Sequence, residues 1–257
     1  MFFADNVHEQ ASLQITPLTG DDDSIYKAAE FMVDAFWLKS PQSQSENPNI
    51  NSISDTTRSS LINIQTNDLV NKYGERLGRR KLDALMLVAL DEGDSFFKTE
   101  DILGLITVEV RLLDALSKEI MNADKSEQML TNAIVSLGPK QRREYKDRSV
   151  RDIAMELLPP EISAVCSFSN LCVSPSARRR GVAAKLCTEA EAVGKKLGFD
   201  EMHLCVQAQN EAASRLYKEK LGYKTQFETN SKSLCLDGNT GKFVDFETDI
   251  IIMKKKI

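Results

Sequence analysis

The chain has 257 residues, enough to bury a full hydrophobic core as one domain, or as one domain with a substantial insertion. Its 42% apolar and 28% charged residues are those of an ordinary globular protein, and a net charge of -5 argues against a general nucleic-acid binder, whose affinity comes from a basic surface. The longest uninterrupted apolar run, Ala84–Leu90, makes one strand and falls far short of the roughly 20 residues of a membrane-spanning helix.

The opening Met-Phe-Phe-Ala-Asp lacks the basic start and apolar stretch of a secretory signal, and the Arg/Ser richness of a transit peptide, although a cleaved precursor would look the same. Leu13-Gln14-Ile15 reads as a first strand. Asp21 to Ser24 supply capping chemistry for a helix through Trp37, with Ile25, Ala28, Ala29, Met32, Val33 and Phe36 on one face. Residues 39–56 are rich in Ser, Asn, Gln and Pro and are expected to form a mobile loop. A second helix is expected from about Thr56 to Gly78. Two strands follow, Leu82–Leu90 and Ile102–Leu112, joined by the acidic turn Asp91-Glu92-Gly93-Asp94. In the second, Ile102, Gly104, Ile106, Val108 and Val110 alternate with Leu105, Thr107, Glu109 and Arg111, the period of a half-buried strand.

Residues 113–160 interrupt the strands with helical, charged material that includes Lys140, Arg142, Arg143, Lys146, Arg148 and Arg151. A solvated helix face accounts for it; a docking surface for an acidic protein substrate is the alternative. Pro159-Pro160 ends the insertion. From Ile162 the order is strand, turn, long helix, strand, helix, strand, an α/β core.

Five cysteines form no C-x-x-C pair and are odd in number, which suits small buried hydrophobes in a reducing, intracellular compartment. With His8 and His203 the only histidines, a histidine-built metal site is nearly excluded and no metal is expected. A Ser-His-Asp triad would need His203, and no G-x-S-x-G accompanies it.

Three stretches carry candidate chemistry. In Cys166-Ser-Phe-Ser-Asn-Leu-Cys-Val173, Cys166 and Phe168 share one parity whereas Leu171 and Val173 share the other. A strand keeps its parity unless a residue is inserted, so a bulge is expected near Ser169-Asn170. A bulge frees backbone groups that could pair with an extended, amide-containing ligand. Next, Ser174-Pro-Ser-Ala-Arg-Arg-Arg-Gly-Val-Ala183 runs straight into a helix whose apolar positions are Val182, Ala183, Leu186, Cys187, Ala190, Val193 and Leu197. Three arginines and Gly181 therefore sit at a helix start, where unpaired N–H groups and the dipole favour an anion. Neither the P-loop nor the dinucleotide spacing is present. Finally, Ala213, Leu216 and Tyr217 share one face of the helix that begins at Asn210, which turns Tyr217 inward.

This combination resembles the GNAT superfamily of acetyl-CoA-dependent N-acetyltransferases. The phosphate-binding pattern Arg/Gln-x-x-Gly-x-Gly/Ala is matched by Arg178, Gly181 and Ala183. The second motif is matched by Asn210, Ala213, Leu216, Tyr217, Leu221, Gly222 and Tyr223. The resemblance is strong over residues 163–227 and holds only in outline over 11–112; residues 113–160 are no part of the minimal fold.

The resemblance implies a single domain over 11–257, an α/β fold with a mixed sheet. Its bulged central strand splays from its neighbour, and the helical insertion precedes the fourth strand. It implies that Leu171, Cys172 and Val173 offer backbone groups to the pantetheine arm of acetyl-CoA, the cosubstrate. Arg178, Arg179, Arg180, Gly181, Val182, Ala183 and Ala184 would hold the diphosphate. Asn210, Glu211 and Ala212 would border the pantetheine, and Tyr217 matches the general acid that protonates the departing thiolate. Cys172 is not needed as an acyl carrier. Glu109 is the one named candidate for a general base, against its reading as a surface glutamate. Near pH 7.5 a protein α-amine is roughly one-third neutral and a lysine amine about one time in 800, a difference of ~3.5 kcal/mol, so a missing base leans towards N-terminal amines. The wording around Ser169–Gly181 looks most like plastid-type members associated with protein N-terminal and lysine acetylation, which would place the chain in the plastid stroma. Acetylation of a small arylalkylamine or polyamine, and a CoA-binding module without turnover, are the rival readings.

Overall fold

The computed structural model describes residues 13–39, 53–74, 82–91, 101–145 and 147–257. Most of the expected loop at 39–56, the acidic turn at 92–94, the end of the second helix at 75–78, His8 and Lys146 lie outside them.

The strand segments build one sheet, with Val, Ile and Leu most frequent in its second and third strands. Its strands are β1 (Leu13–Pro17), β2 (Ala84–Asp91), β3 (Ile102–Asp114), the short β4 (Glu119–Ile120), β5 (Ile162–Val173), β6 (Glu201–Gln207), β7 (Lys224–Asp237) and β8 (Lys242–Lys256). The order across the sheet is β1-β2-β3-β5-β6-β8-β7, with β4 paired to the end of β3. Only β5 and β6 run parallel; the other pairs are antiparallel.

Helix α1 (Asp22–Met32) starts where Asp21 accepts a hydrogen bond from Ser24 N–H at 2.9 Å. It runs into a π-helical turn, Val33–Leu38. Helix α2 (Asp55–Tyr73) begins at Ser54, whose hydroxyl accepts from Thr57 N–H. Together α1 and α2 cover one face of β2 and β3 with Ile25, Met32 and Leu69 against Met86, Val88 and Leu105.

The insertion forms α3 (Ala123–Val135), α4 (Pro139–Glu144) and α5 (Val150–Leu157). Leu130, Val150 and Ile153 pack on Val110, Leu112 and Ile162, so this segment is part of the core. Much of its basic character is spent locally. Arg142 donates to the Val135 and Leu137 carbonyls, Arg148 pairs with Glu156, and Arg151 donates to the Gly198 carbonyl.

Helix α6 (Val182–Lys196) packs on the same face as the insertion, burying Val182, Leu186, Cys187 and Ala190. The half-buried alternation expected for β3 is therefore corrected. Both faces are covered, and even Thr107 and Glu109 are buried. Gly104 permits the close approach of α6: an added Cβ would lie 2.9 Å from both Leu186 Cδ1 and Val182 Cγ1. Gly104→Ala is expected to cost about 1–3 kcal/mol in urea unfolding, because overpacking must push α6 off the strand. Unchanged stability would show that the helix shifts freely.

Chain order after β6 is α7 (Glu211–Arg215), a π-helical turn Leu216–Lys220, and the β7–β8 hairpin. The expectation of one final strand is corrected to a long hairpin. β8 pairs with β6 only over Ile250–Lys256; residues 231–247 of the hairpin extend past β6 and pair with each other. This outer half leans over to the helices, where Leu236 and Phe243 join Val33, Leu61, Ile62 and Trp37.

Candidate active site

Strand β5 is irregular where its parity changes. Leu105 pairs with Cys172 and Thr107 with Ser169, so Asn170 and Leu171 together oppose Ile106. Asn170 takes a left-handed φ of 53°. The bulge is held by side chains: Asn170 donates to Thr107 Oγ1 at 3.2 Å, and the Thr107 hydroxyl donates to the Ser169 carbonyl at 3.1 Å. Pairing of β5 with β6 stops at Phe168–Leu204, although β5 continues to Val173 and β6 to Gln207. Past that point the two strands part.

A cavity of about 550 Å³ fills the gap. Its inner wall is Phe168–Val173 and Cys205–Gln207, with Asn210, Ala212, Ala213 and Tyr217 closing one side. The lining is completed by Phe36 and Trp37 of the first π-turn, by Gln65, Asp68 and Lys72 of α2, and by Ser233–Leu236, Phe246 and Ile250 of the hairpin. Both π-turns thus deliver aromatic residues to one space. Such turns break the helical ladder and recur at functional sites.

After β5 the chain passes through a short 3₁₀ turn, Pro175–Ala177, and then Arg178–Gly181. Arg179 and Gly181 have left-handed φ angles of 67° and 85°. No side chain caps α6, so its first N–H groups face outward beside exposed Arg179 and Arg180. An αL residue next to a helix start forms an anion-accepting concavity, which suits a diphosphate. Arg178 lines the cavity, but its guanidinium is engaged with the carbonyls of Val173, at 3.3 Å, and Lys39, at 2.7 Å. It fastens the turn to β5 and the first π-turn. Val182 is buried and Ala183 and Ala184 half-buried in the first helical turn, and Glu211 is exposed. The Asn210 side chain caps α7 by accepting from Ala213 N–H at 3.1 Å.

Tyr217 is 7% exposed, with the tilted Phe168 ring at 5.8 Å and the edge-on Tyr223 ring at 6.1 Å between ring centroids. Burial pushes its phenol well above the ordinary value, so it stays protonated at neutral pH. Burial likewise pushes the Cys172 thiol up to about 12, which leaves no thiolate to carry an acyl group.

Glu109 does not reach this cavity, which corrects its candidacy as a base at the reacting centre. It is 4% exposed, accepts hydrogen bonds from Tyr73 and from Arg111 Nε at 2.6 Å, and is ion-paired to Arg111. Burial works against the Arg111 charge, but Glu109 outweighs it. Burial and Glu109 together hold the Tyr73 phenol well above its usual range. The cluster braces α2 against β3.

The acetyltransferase (GNAT) family model matches residues 157–223, the stretch running from the end of α5 through the bulge, the arginine turn and Tyr217 to Tyr223. Over that stretch the chain is similar to the GNAT acetyltransferase family. The parted strands and uncapped α6 fit the arm and diphosphate of acetyl-CoA. The fold is shared with solved structures of low sequence identity. NAA60 from Arabidopsis thaliana, in complex with acetyl-CoA, is 14% identical, with 96% of this chain and 99% of that chain covered and a TM-score of 0.50. The ribosomal-protein-S18-alanine N-acetyltransferase from Escherichia coli is 15% identical, covering 96% and 94%, with a TM-score of 0.48. PaiA N-acetyltransferase from Thermoplasma acidophilum, in complex with coenzyme A, is 17% identical, covering 96% and 99%, with a TM-score of 0.47. No curated protein matches the sequence. Among the described residues, no helix is long and apolar enough to cross a membrane.

The cavity residues from Phe36 to Lys72 and from Ser233 to Ile250 carry no local motif. Trp37, the only tryptophan, is their one visible signal.

Proposed function

We propose that this enzyme acetylates the α-amine at the end of a polypeptide, with Tyr217 as general acid. The observation that carries the reading is the hairpin. Its outer half reaches α2, where Gly241 lies against Thr57 and Leu236 packs on Leu61. The acceptor end of the cavity is thereby roofed, which favours an amine presented end-on over one in the middle of a passing chain.

Charge supports the same reading over a polyamine. Among the described lining residues the only carboxylate is Asp68, and Lys72 pairs with it at 2.9 Å. A polycation would find no excess negative charge there. With Glu109 occupied elsewhere, proton removal from the acceptor falls to water, which suits an α-amine of low pKa. Backbone donors at Leu171–Val173 would polarise the thioester carbonyl, and stabilisation of developing oxyanion charge by fixed donors accounts for much of such rate enhancements.

The test is thiol release and mass spectrometry with four acceptors: a free peptide, the same peptide blocked at its N-terminus but carrying lysine, spermidine, and an arylalkylamine. We expect acetyl on the free α-amine. Preferential turnover of the blocked peptide or of a small amine would overturn the acceptor assignment, and acetyl-CoA binding without thiol release from any of them would favour an inert module.

The roof can be tested separately. An added Cβ at Gly241 would sit 2.3 Å from Thr57 Cγ2, and Gly241 has a φ of 63°. Gly241→Val is therefore expected to undock the hairpin tip, at a strain cost of about 1–3 kcal/mol. Trp37 lies 4.9 Å from the Phe243 ring, so its emission should shift to the red while acceptance of internal lysines rises. An unshifted spectrum with unchanged selectivity would remove the hairpin from acceptor choice.

A further inference from the structure

Among the cavity-lining residues described, Lys72 is the only amine. Gln65, Asp68 and Lys72 fall three and four residues apart, so α2 turns all three towards the cavity. The next residue, Tyr73, ties that end of α2 to the bulge. Its hydroxyl donates to Glu109 and lies beside Thr107, whose Oγ1 bonds to Ser169 and Asn170. Lys72 therefore lines the cavity at the end of α2 that Tyr73 ties to the bulge. Its side chain is 35% exposed and its Nζ donates to Asp68 Oδ2 at 2.9 Å, a half-exposed i,i+4 pair of the kind that holds weakly.

We infer that the enzyme acetylates itself on Lys72. The inference rests on the acetyl-transfer reading of the cavity and adds to it a modification site on this chain. The Lys72 ammonium gives one proton to water, with Asp68 already accepting from it. The neutral nitrogen attacks the thioester carbonyl carbon, the new C–N bond forms and the C–S bond breaks. The sulfur leaves with the Tyr217 proton, and the phenol is restored by the proton that the nitrogen sheds. The products are one amide, one thiol and one released proton. Only about one lysine amine in 800 is neutral near pH 7.5, but a tethered amine has an effective concentration far above that of any free acceptor. A slow event that happens once per molecule is the expected balance of the two.

The experiment incubates the full chain with heavy-isotope acetyl-CoA and no acceptor, and follows labelled peptides in time. Lys72 should gain label about tenfold or more faster than exposed Lys195 and Lys196, with a half-time unchanged when the protein is diluted roughly tenfold, as an intramolecular step requires. Tyr217→Phe, checked for folding by Trp37 emission, should lose the label. If the protein arrives already carrying unlabelled acetyl on Lys72, that acetyl should be absent from Tyr217→Phe. Labelling of Lys72 no faster than of Lys195, or a half-time that lengthens on dilution, overturns the inference. A parallel arm with free peptide separates the two levels: thiol release with Lys72 unlabelled sinks only self-acetylation, whereas no release with any amine sinks the transfer reading too.

Discussion

Gly181→Glu is expected to abolish acetyl-CoA binding in calorimetric titration. Gly181 stands at the uncapped start of α6 with a φ of 85°, and nothing lies within 4 Å of an added Cβ. The substitution therefore acts through charge and backbone strain, with no clash against the fold. A carboxylate about 4 Å from a phosphate charge, at an effective dielectric near 20, opposes binding by about 4 kcal/mol, roughly a thousandfold. Gly181→Ala separates the causes: it carries the same left-handed strain, about 1–3 kcal/mol of stability, without the charge. It should bind acetyl-CoA far better than Gly181→Glu. Wild-type affinity in Gly181→Glu would move the diphosphate elsewhere.

Tyr217→Phe should lower kcat by about a hundredfold to ten-thousandfold, the usual range for a lost general acid, and leave acetyl-CoA affinity nearly unchanged. The ring would keep its packing against Phe168 and Tyr223, so only the proton donor is lost. With ordinary values near 10 for a phenol and roughly 8.5 for a thiol, proton transfer to the thiolate would be mildly uphill. Burial raises both the Tyr217 phenol and the Cys172 thiol in the same wall, so the step stays uphill and depends on the thiolate being held beside the phenol. An unaltered kcat would take Tyr217 out of the acid role.

The bulge of β5 and the start of α6 were legible in the sequence because their causes are local. A parity change between Cys166 and Val173 is enough to mark the bulge, and Gly181 ahead of an amphipathic run is enough to mark the start of α6. The part of the lining that the hairpin supplies was not legible. Leu236 meets Leu61, and Phe243 meets Trp37, across more than half the chain, and nothing near either residue in sequence announces the partner. Glu109 was misread for a related reason. Alternation in β3 put it on an open face, but α2 covers that face and supplies Tyr73 as its partner. Arg178 matches a phosphate motif in sequence, yet its side chain holds the turn together through two carbonyls.

The hairpin also bears on biosynthesis. β8 lies between β6 and β7 in the sheet and, among the described elements, is the last to be made. Until it leaves the ribosome, β6 has an open edge and β7 has nothing to pair with. At synthesis rates of about 5–20 residues per second, the nascent chain passes through an interval with an unfinished sheet and no hairpin over its cavity. The order of the strands thus makes covering of the cavity one of the last steps in the folding of the described chain.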